Sequence, residues 1–503
     1  MIQITEDRVR RSLPLLAALL TTLVLAAPAH AAPGVAVTYE TIPGQGGTPL
    51  KAFVVQPTGR GAGPFPLLVL PSSWGVNDIE YVGAAAKLAY QSGYSVISYT
   101  SRGFHDSAGT IDVAGPDTIA DVSRVIDWGV AHAAGDVTRV GVGGISYGAG
   151  QSLLAAAADP RIKAVAALST WTDLARSLYP NDTVSNQAVE LLLAAGRLTG
   201  RPGPVLTDAE AAYRQGRFAD VLPISPPRSP ATKAASIKAA VLIGNAWNDG
   251  LFPPGQVTDF FTALDAPKRL MLSPGDHATA ELFGAAGLPN EIWESAGRWF
   301  DHYLKGVDNG VDREAPVRLR PNNGGAWRDY PSWRAVTTRT DTTTLTAERI
   351  GTGWPTIAES GTVLVSGALQ GFLKLPTGVA TPLVDRNAAA VWRGPAHPTA
   401  STVGGTPRAH LTVTTTATTT LFAYLYEVNP LGLGALITHK PVTLAGAATR
   451  TIDLDLEPTL WTVAAGNRLV LVVDTVDARY GSASRLGGGV AFGADSTLSV
   501  PRS

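Results

Sequence analysis

The sequence of 503 residues contains no cysteine at all. This absence excludes disulfide bonds, thiolate metal sites and a cysteine nucleophile, so the stability of the fold must come from core packing. Histidine is scarce, and no HExxH motif or comparable ligand cluster occurs, so we expect neither a catalytic zinc nor another cofactor. The eight histidines are His30, His105, His132, His277, His302, His397, His410 and His439.

The chain also lacks an excess of charge of either sign. It has 40 basic and 41 acidic residues, a formal net charge of -1. Such a balance gives no electrostatic grip on a phosphate backbone, and nucleic acid is therefore not expected as a partner. With 45% hydrophobic and 16% charged residues, the chain is expected to be globular, and its length indicates two or three domains.

Residues 1–31 have the layout of a cleavable signal peptide. A basic stretch ending in Arg10 and Arg11 precedes an apolar run from Leu13 to Ala27 and an Ala-His-Ala cleavage sequence. A membrane anchor is the alternative, but Pro14 interrupts the run, which is shorter than the ~20 apolar residues of a spanning helix. We therefore predict a secreted protein without stable membrane insertion. The arginine pair leaves open whether export uses a twin-arginine route.

Residues 32–310 alternate short apolar runs with longer amphipathic stretches, which predicts a mostly parallel sheet covered by helices. The expected strands are 66–70, 94–99, 139–143, 164–168, 239–244 and 269–273. The expected helices are 79–91, 117–134 and 149–158, where apolar residues recur at three- and four-residue spacing.

About 70 residues separate the fourth and fifth of these strands, far more than one crossover helix needs. Helix-like pieces at 189–198 and 208–215 predict an inserted helical cap at about 171–235. Such a cap either covers a pocket or is an extra packing layer.

After residue 310 the pattern changes. A Pro- and Gly-rich stretch is expected to form a linker at 311–344. Residues 345–503 are then dominated by short β-forming runs between turn residues, which predicts an all-β sandwich as a second domain. The clearest of these runs are 409–413, 421–428, 450–456 and 468–473.

Gly144 to Gly148 form a GxSxG sequence centred on Ser146. The string by itself is weak evidence in a chain with 53 glycines. Its context is stronger evidence, because a predicted strand directly precedes the motif and a predicted helix directly follows it, as a nucleophile elbow requires. Glycine two residues either side of the serine leaves room for the sharp turn. Ser146 is therefore the candidate nucleophile.

A serine hydroxyl needs a base to take its proton, and His277 is the best candidate. It lies in a turn-rich segment just after the predicted strand 269–273, at the sheet edge where reactive groups collect in α/β proteins. His302 competes in chain order, but its aromatic neighbours place it on a later helix.

The histidine needs an acid partner, and Asp249 follows the predicted strand 239–244. The chain order Ser, Asp, His is that of α/β-hydrolases. Asp249 could instead be a turn residue before Gly250, and Asp276 is the alternative acid. Asp276 adjoins His277 in sequence, however, and could not readily face its Nδ1 atom.

A tetrahedral intermediate would place its negative oxygen near the amide of Tyr147, the residue after the nucleophile. A second donor is expected from Ser73 or Trp74 after the strand 66–70, as an amide or a hydroxyl.

Three motifs together resemble the family of X-Pro dipeptidyl-peptidases and cocaine esterases, also called acyl esterases. Gly144–Tyr147 is similar to the family's Gly-x-Ser-Tyr, and Arg102–Gly109 to its Arg-Gly-x-x-x-Ser-x-Gly segment. Trp299–Gly306 resembles the segment that closes the hydrolase domain, which makes His302 a scaffold residue.

The resemblance covers about 38–310 and 345–503. It implies an α/β-hydrolase fold followed by a jelly-roll sandwich, with Ser146, Asp249 and His277 as the catalytic residues. Family members often use a tyrosine after a proline to bind the oxyanion, whereas here Ser72, Ser73 and Trp74 follow Pro71.

The sequence therefore predicts a secreted serine hydrolase that acts on a small ester or a short peptide without a cofactor. Whether the substrate is an ester or an Xaa-Pro peptide stays open, since the same triad serves both. The alternative is an inert protein that binds carbohydrate or cell-wall polymer through its β-sandwich. The oligomeric state is not readable from the sequence.

Overall fold

The computed structural model describes residues 34–503. The predicted signal peptide at 1–31 lies outside the described residues, and export stays a prediction. Within 34–503 no helix is both long and apolar enough to cross a membrane.

The first domain is built on one ten-stranded sheet in the order β1-β2-β4-β3-β5-β6-β7-β8-β9-β10. In this order, the neighbouring strands from β4 to β9 run parallel to one another. At one edge β1 pairs antiparallel with β2 and β2 with β4, and at the other edge β10 pairs antiparallel with β9. The strands are β1 (Gly34–Pro43), β2 (Pro49–Thr58), β3 (Phe65–Pro71), β4 (Ser95–Tyr99), β5 (Gly135–Ile145), β6 (Ile162–Leu168), β7 (Ala240–Ala246), β8 (Lys268–Ser273), β9 (Val317–Leu319) and β10 (Arg328–Tyr330).

Each of the six strands and three helices predicted for this domain is present. The predicted helix 79–91 is a composite of a 3₁₀ turn at Asp78–Tyr81, an α-helix and a π turn at Leu88–Ser92. The α-helices of residues 34–503 are α1 (Val82–Lys87), α2 (Pro116–His132), α3 (Tyr147–Ala158), α4 (Leu174–Leu178), α5 (Asn186–Thr199), α6 (Pro204–Arg214), α7 (Pro254–Ala263), α8 (Leu282–Ala285), α9 (Glu291–Lys305) and α10 (Ser366–Leu373).

Both faces of the central strands are buried, which explains their nearly continuous apolar sequences. Alternate residues of β3 belong to different cores. Leu67 and Val69 pack in the core on one face of the sheet, and Leu68 and Leu70 pack with Phe300 of α9 in the core on the other. The carboxyl ends of β5, β7 and β8 therefore reach one edge of a rigid, covered sheet.

The cap lies between β6 and β7. It contains α4, α5 and α6, followed by short 3₁₀ turns that end at Pro230–Ser236. Its apolar side chains, Trp171 among them, join Phe104 and Tyr147 of the hydrolase domain in one core cluster. The cap is therefore packed onto the carboxyl-end edge of the sheet.

The second domain consists of two antiparallel sheets, one of eight strands and one of five. Leu411 of one sheet and Leu425 and Leu471 of the other share one core, so the two sheets form a sandwich. The strands are β11 (Arg339–Thr344), β12 (Glu348–Gly351), β13 (Gly378–Ala380), β14 (Ala390–Ala396), β15 (Ser401–Gly405), β16 (Arg408–Thr415), β17 (Thr419–Val428), β18 (Leu433–Leu444), β19 (Ala448–Asp455), β20 (Thr459–Val463), β21 (Arg468–Asp474), β22 (Gly489–Phe492) and β23 (Thr497–Arg502).

The predicted linker 311–344 is not a plain connection. Its strands β9 and β10 complete the hydrolase sheet, and β11 pairs with β23 of the sandwich. Three-residue strands are too short for a periodic pattern, although Val317 and Leu319 are buried on either side of Arg318. The segment ties the two domains together by backbone pairing.

Candidate active site

Ser146 stands in a sharp turn between β5 and α3. Its backbone has φ 55° and ψ -116°, a strained conformation for a residue with a side chain. A Cβ atom on Gly148 would lie 1.9 Å from the carbonyl oxygen of Pro71 in β3. The second glycine of the motif is therefore required by the close approach of α3 to the neighbouring strand, and the turn directs the serine away from the sheet.

Ser146, His277 and Asp249 form one continuous chain of hydrogen bonds. The Nε2 atom of His277 lies 2.8 Å from the Oγ atom of Ser146. Its Nδ1 atom lies 2.9 and 3.1 Å from the two carboxylate oxygens of Asp249. All three side chains are buried. The structure thus brings together the three residues that the sequence singled out, 131 and 28 positions apart.

Backbone amides hold the Asp249 carboxylate in place. Its Oδ1 atom accepts hydrogen bonds from the amides of Leu251 and Phe252, at 3.0 and 2.7 Å. Burial lowers the pKa of His277, but the adjacent Asp249 charge and hydrogen bond outweigh burial and raise it above its ordinary value of 6.5. The carboxylate therefore orients the imidazole and stabilises its protonated form.

Asp276, the alternative acid, does not touch the imidazole ring. Its Oδ1 atom accepts from the amides of Gly250 and His277, both at 2.8 Å, and its Oδ2 atom accepts from the amide of Gly367 at 3.3 Å. Burial raises the pKa of this carboxyl group. Asp276 thus joins the loop of Asp249, the loop of His277 and a helix of the sandwich domain.

The sandwich domain packs tightly against the histidine loop through α10. A Cβ atom on Gly367 would lie 2.8 Å from Asp276, and one on Gly371 would lie 2.9 Å from Gly275. The guanidinium of Arg479, also from this domain, is buried and contributes positive charge near Asp276. The second domain therefore packs against the loop that carries His277.

The backbone amides of Tyr147 and Trp74 are the candidate oxyanion donors. Among the described residues, neither the Tyr147 amide at the start of α3 nor the Trp74 amide donates a hydrogen bond. Both residues line the same cavity as Ser146.

Ser73 does not fit the second-donor role that the sequence suggested. Its amide donates to Oε2 of Glu80 at 2.8 Å, and its hydroxyl contacts Oε1 of Glu80 at 2.6 Å and the carbonyl of Ile145 at 2.9 Å. Both donors are therefore occupied, and Trp74 is left as the candidate from this loop.

Two carboxyl groups near the site escaped the sequence analysis. Burial raises the pKa of Glu80 to about 7 and that of Glu281 to about 7, and the charge of Asp249 adds to the shift of Glu281. Within 34–503, neither carboxylate oxygen of Glu281 has a hydrogen-bond partner. Glutamates in turns are usually solvated, so no sequence pattern marks these two.

His302, the competing histidine, lies on α9, and its Nδ1 atom contacts the carbonyl oxygen of Val307 at 3.1 Å. It makes no contact with Ser146, in keeping with a scaffold role. The described residues contain no group of three or more histidine, aspartate or glutamate side chains that could hold a metal ion.

A cavity of about 180 Å³ opens beside Ser146, between the nucleophile and the cap. An aromatic floor is formed by Trp74, Tyr147, Trp171 and Phe252, with ring centroids of successive neighbours 5.1, 5.9 and 5.6 Å apart. Mainly aliphatic side chains of the cap form most of the remaining wall. The reactive hydroxyl thus faces an apolar, partly enclosed space.

Family models match both domains. The model of the X-Pro dipeptidyl-peptidase (S15 family) matches residues 46–279, and that of the X-Pro dipeptidyl-peptidase C-terminal non-catalytic domain matches 309–484. A Bacillus anthracis protein, provisionally named an Xaa-Pro dipeptidyl-peptidase, is 25% identical in an alignment of 270 positions that covers 48% of this chain and 43% of the relative. A Bacillus cereus protein of the same name is also 25% identical, with 44% of its length matched. The chain spans less than half the length of these curated relatives.

Solved structures share the whole architecture. An α-amino acid ester hydrolase superposes with a TM-score of 0.72 at 14% identity, covering 95% of this chain and 98% of the other. A CocE/NonD family hydrolase from Staphylococcus aureus gives a TM-score of 0.70 at 14% identity, covering 93% and 96%. At this identity the likeness confirms the predicted fold class alone: an α/β-hydrolase domain followed by an all-β domain.

Proposed function

Because this chain belongs to the X-Pro dipeptidyl-peptidase and acyl-esterase family of α/β-hydrolases, we propose that it is a serine hydrolase. It cleaves ester or amide bonds through an acyl-enzyme on Ser146, with His277 as general base and Asp249 as the residue that orients the base. The observation that carries the proposal is the unbroken contact from the serine hydroxyl through the imidazole to the buried carboxylate.

Acylation begins when the Oγ atom of Ser146 attacks the carbonyl carbon of the substrate. The hydroxyl proton passes to Nε2 of His277, while Nδ1 keeps its proton in the bond to Asp249. The carbonyl oxygen becomes negatively charged and is bound by the amides of Tyr147 and Trp74. The bond to the leaving group then breaks, and the leaving alcohol or amine takes the proton from Nε2.

Deacylation repeats these steps with water. His277 removes a proton from the water molecule, the hydroxide attacks the ester carbon, and Ser146 recovers its proton as the acid departs. No cofactor takes part in this sequence. The raised pKa of His277 implies that activity falls as the pH drops through a value above 6.5, because the protonated imidazole cannot accept the proton.

We also propose that the protein is exported. The support is the layout of residues 1–31 in the sequence. Amino-terminal sequencing of protein recovered from the culture medium of an expressing bacterium should then start at Ala32. Retention of Met1 on protein confined to the cells would contradict export.

Replacement of Ser146 by alanine tests the catalytic proposal. The variant should lose labelling by a fluorophosphonate probe and lose roughly 10⁵-fold or more of ester hydrolysis, because the nucleophile and its base act as a unit. Ser152→Ala is the matched control, since Ser152 is also buried on α3 and its hydroxyl donates to the carbonyl of Gly148. Wild-type labelling of the Ser146→Ala variant would contradict the assignment. No labelling of the wild type would favour an inert binding protein instead.

A further inference from the structure

The cap lines the cavity beside Ser146 mainly with apolar side chains. Leu174, Leu178, Val189, Leu192 and Leu206 line it, and they come from three different cap helices. Their side chains face the aromatic floor formed by Trp74, Tyr147, Trp171 and Phe252. A space of this kind takes up apolar groups, since an apolar cavity of about 150 Å³ in another protein binds benzene.

The charged groups of the cap that lie next to the cavity are paired with one another. Among residues 34–503, Glu210 is the only carboxylate that lines the cavity. Its Oε1 atom lies 2.7 Å from Arg197 and 3.4 Å from Arg214. The ion pairs leave no net negative charge there to receive a substrate ammonium group.

The other cap carboxylates lie outside the cavity. Glu190 binds Arg214 through both oxygens and accepts from the hydroxyl of Tyr213 at 2.9 Å. Asp173 accepts from the amide of Arg176 at 3.0 Å, where it caps α4. On the other side of the nucleophile, both oxygens of Glu80 are occupied by Ser73.

The cavity is positioned to take the acyl part of a substrate. The leaving group receives its proton from Nε2 of His277, so it must lie on the histidine side of the serine. The cavity is lined by Ser146 and by the two residues whose amides are free for the oxyanion, Tyr147 and Trp74, but not by His277. The group that stays bonded to Ser146 therefore points into the cavity.

From this placement we infer that the enzyme selects esters whose acyl group is uncharged and apolar, about the size of a phenyl ring with one or two methylenes. The inference rests on the proposed acyl-enzyme on Ser146. It assigns the cap cavity as the acyl site and rejects peptides with a free amino terminus, because an unpaired ammonium loses its hydration in an apolar cavity without compensation.

A matched pair of substrates tests this selectivity in the wild-type protein. Methyl 3-phenylpropanoate and phenylalanine methyl ester differ only by the α-ammonium group, provided the pH lies below the pKa of the amine. We expect kcat/KM for the uncharged ester to exceed that for the amino ester by about 100-fold or more, given the cost of burying an unpaired charge. Alanyl-proline p-nitroanilide should be cleaved more slowly than either ester.

A charged variant of the cavity adds a second readout. Val189→Asp places a carboxylate in the cavity wall and should reduce the preference for the uncharged ester by about tenfold or more, whereas Val189→Ala should retain the preference. Faster cleavage of the amino ester or of the peptide by the wild type would overturn the inference while fluorophosphonate labelling of Ser146 upheld the proposed function. Absence of labelling would instead reject the proposed function itself.

Discussion

The two regions that border the triad have opposite character. The cap presents mainly aliphatic and aromatic side chains to Ser146, and the one carboxylate that lines the cavity, Glu210, is in ion pairs with Arg197 and Arg214. The sandwich domain presents a helix with closely packed glycines and a buried guanidinium to the loop of His277. The region on the cavity side of Ser146 is mainly apolar, and the region next to the His277 loop is polar and charged.

This difference matches two separate requirements of the proposed reaction. An apolar wall excludes water and strengthens the interactions of the oxyanion with its donors. The imidazole, in contrast, becomes a cation during the reaction and is stabilised by a fixed negative charge beside it. Variants of the polar region should therefore change the rate and its pH dependence, whereas variants of the cap should change which substrate is preferred.

Replacing the acid of the triad should have the largest effect in the polar region. We expect Asp249→Asn to lower kcat by about 10⁴-fold, because the amide no longer fixes the productive tautomer of His277. The measurement is kcat for one ester across a pH series. Asp276→Asn is the matched control, since the Asp276 carboxylate accepts its hydrogen bonds from backbone amides and none from the imidazole of His277 among the described residues.

Asp276→Asn should also change how the rate depends on pH. The Asp276 charge raises the pKa of His277, so Asp276→Asn should move the acidic limb of the rate profile to lower pH. Its loss in kcat should be far smaller than that of Asp249→Asn. Equal losses for the two variants would mean that Asp276 shares the role of the acid.

The contact between the two domains gives the next largest effect. A Cβ on Gly367 would lie 2.8 Å from both Asp276 and the carbonyl of Gly275, so Gly367→Ala must shift α10 or the histidine loop. We expect kcat to fall by about 10- to 100-fold, because a displacement of about 1 Å in catalytic geometry has effects of this size. The ratio of rates for the charged and uncharged esters should stay unchanged.

Gly378→Ala is the matched control for this substitution. The nearest atom to its Cβ would be the carbonyl oxygen of Gly434 at 3.6 Å, an ordinary contact. Wild-type kcat in Gly367→Ala, with the variant folded, would show that the sandwich domain does not position the base.

The regular strands of the hydrolase domain explain why the triad could be recognised in the sequence. Ser146, Asp249 and His277 each follow a long apolar strand, and such strands have a clear periodic pattern and a known edge at which their loops meet. The helices of the cap were equally visible, because α5 and α6 each bury one face. The fold class and the three triad positions could therefore be predicted.

Features that depend on contacts between distant segments could not be predicted. Nothing near Ser73 in the sequence shows that Glu80 occupies both of its hydrogen-bond donors. The pairing of β11 with β23 joins residues 339–344 to the end of the chain, and its strand has no buried face to give a pattern. The contact of Gly367 with Asp276 requires both domains to be placed first.

Replacement of Glu281 should have the smallest effect, and it acts on the pH dependence of the stability of the polar region. Its pKa of about 7 in the folded protein, against 4.5 ordinarily, means that the folded state binds more protons than the unfolded state between these values. The free energy of unfolding should therefore decrease as the pH rises through this window. The glutamine of Glu281→Gln cannot ionise, so the decrease should become shallower. At pH values above the window, the free energy of unfolding of the variant should exceed that of the wild type by at most about 3 kcal/mol.

Urea unfolding of both proteins at several pH values measures the difference, and the exposed Glu294→Gln on α9 is the control. Glu80 retains its own raised pKa, so part of the decrease should persist. Parallel curves for Glu281→Gln and the wild type would contradict an ionisation of this glutamate near neutral pH.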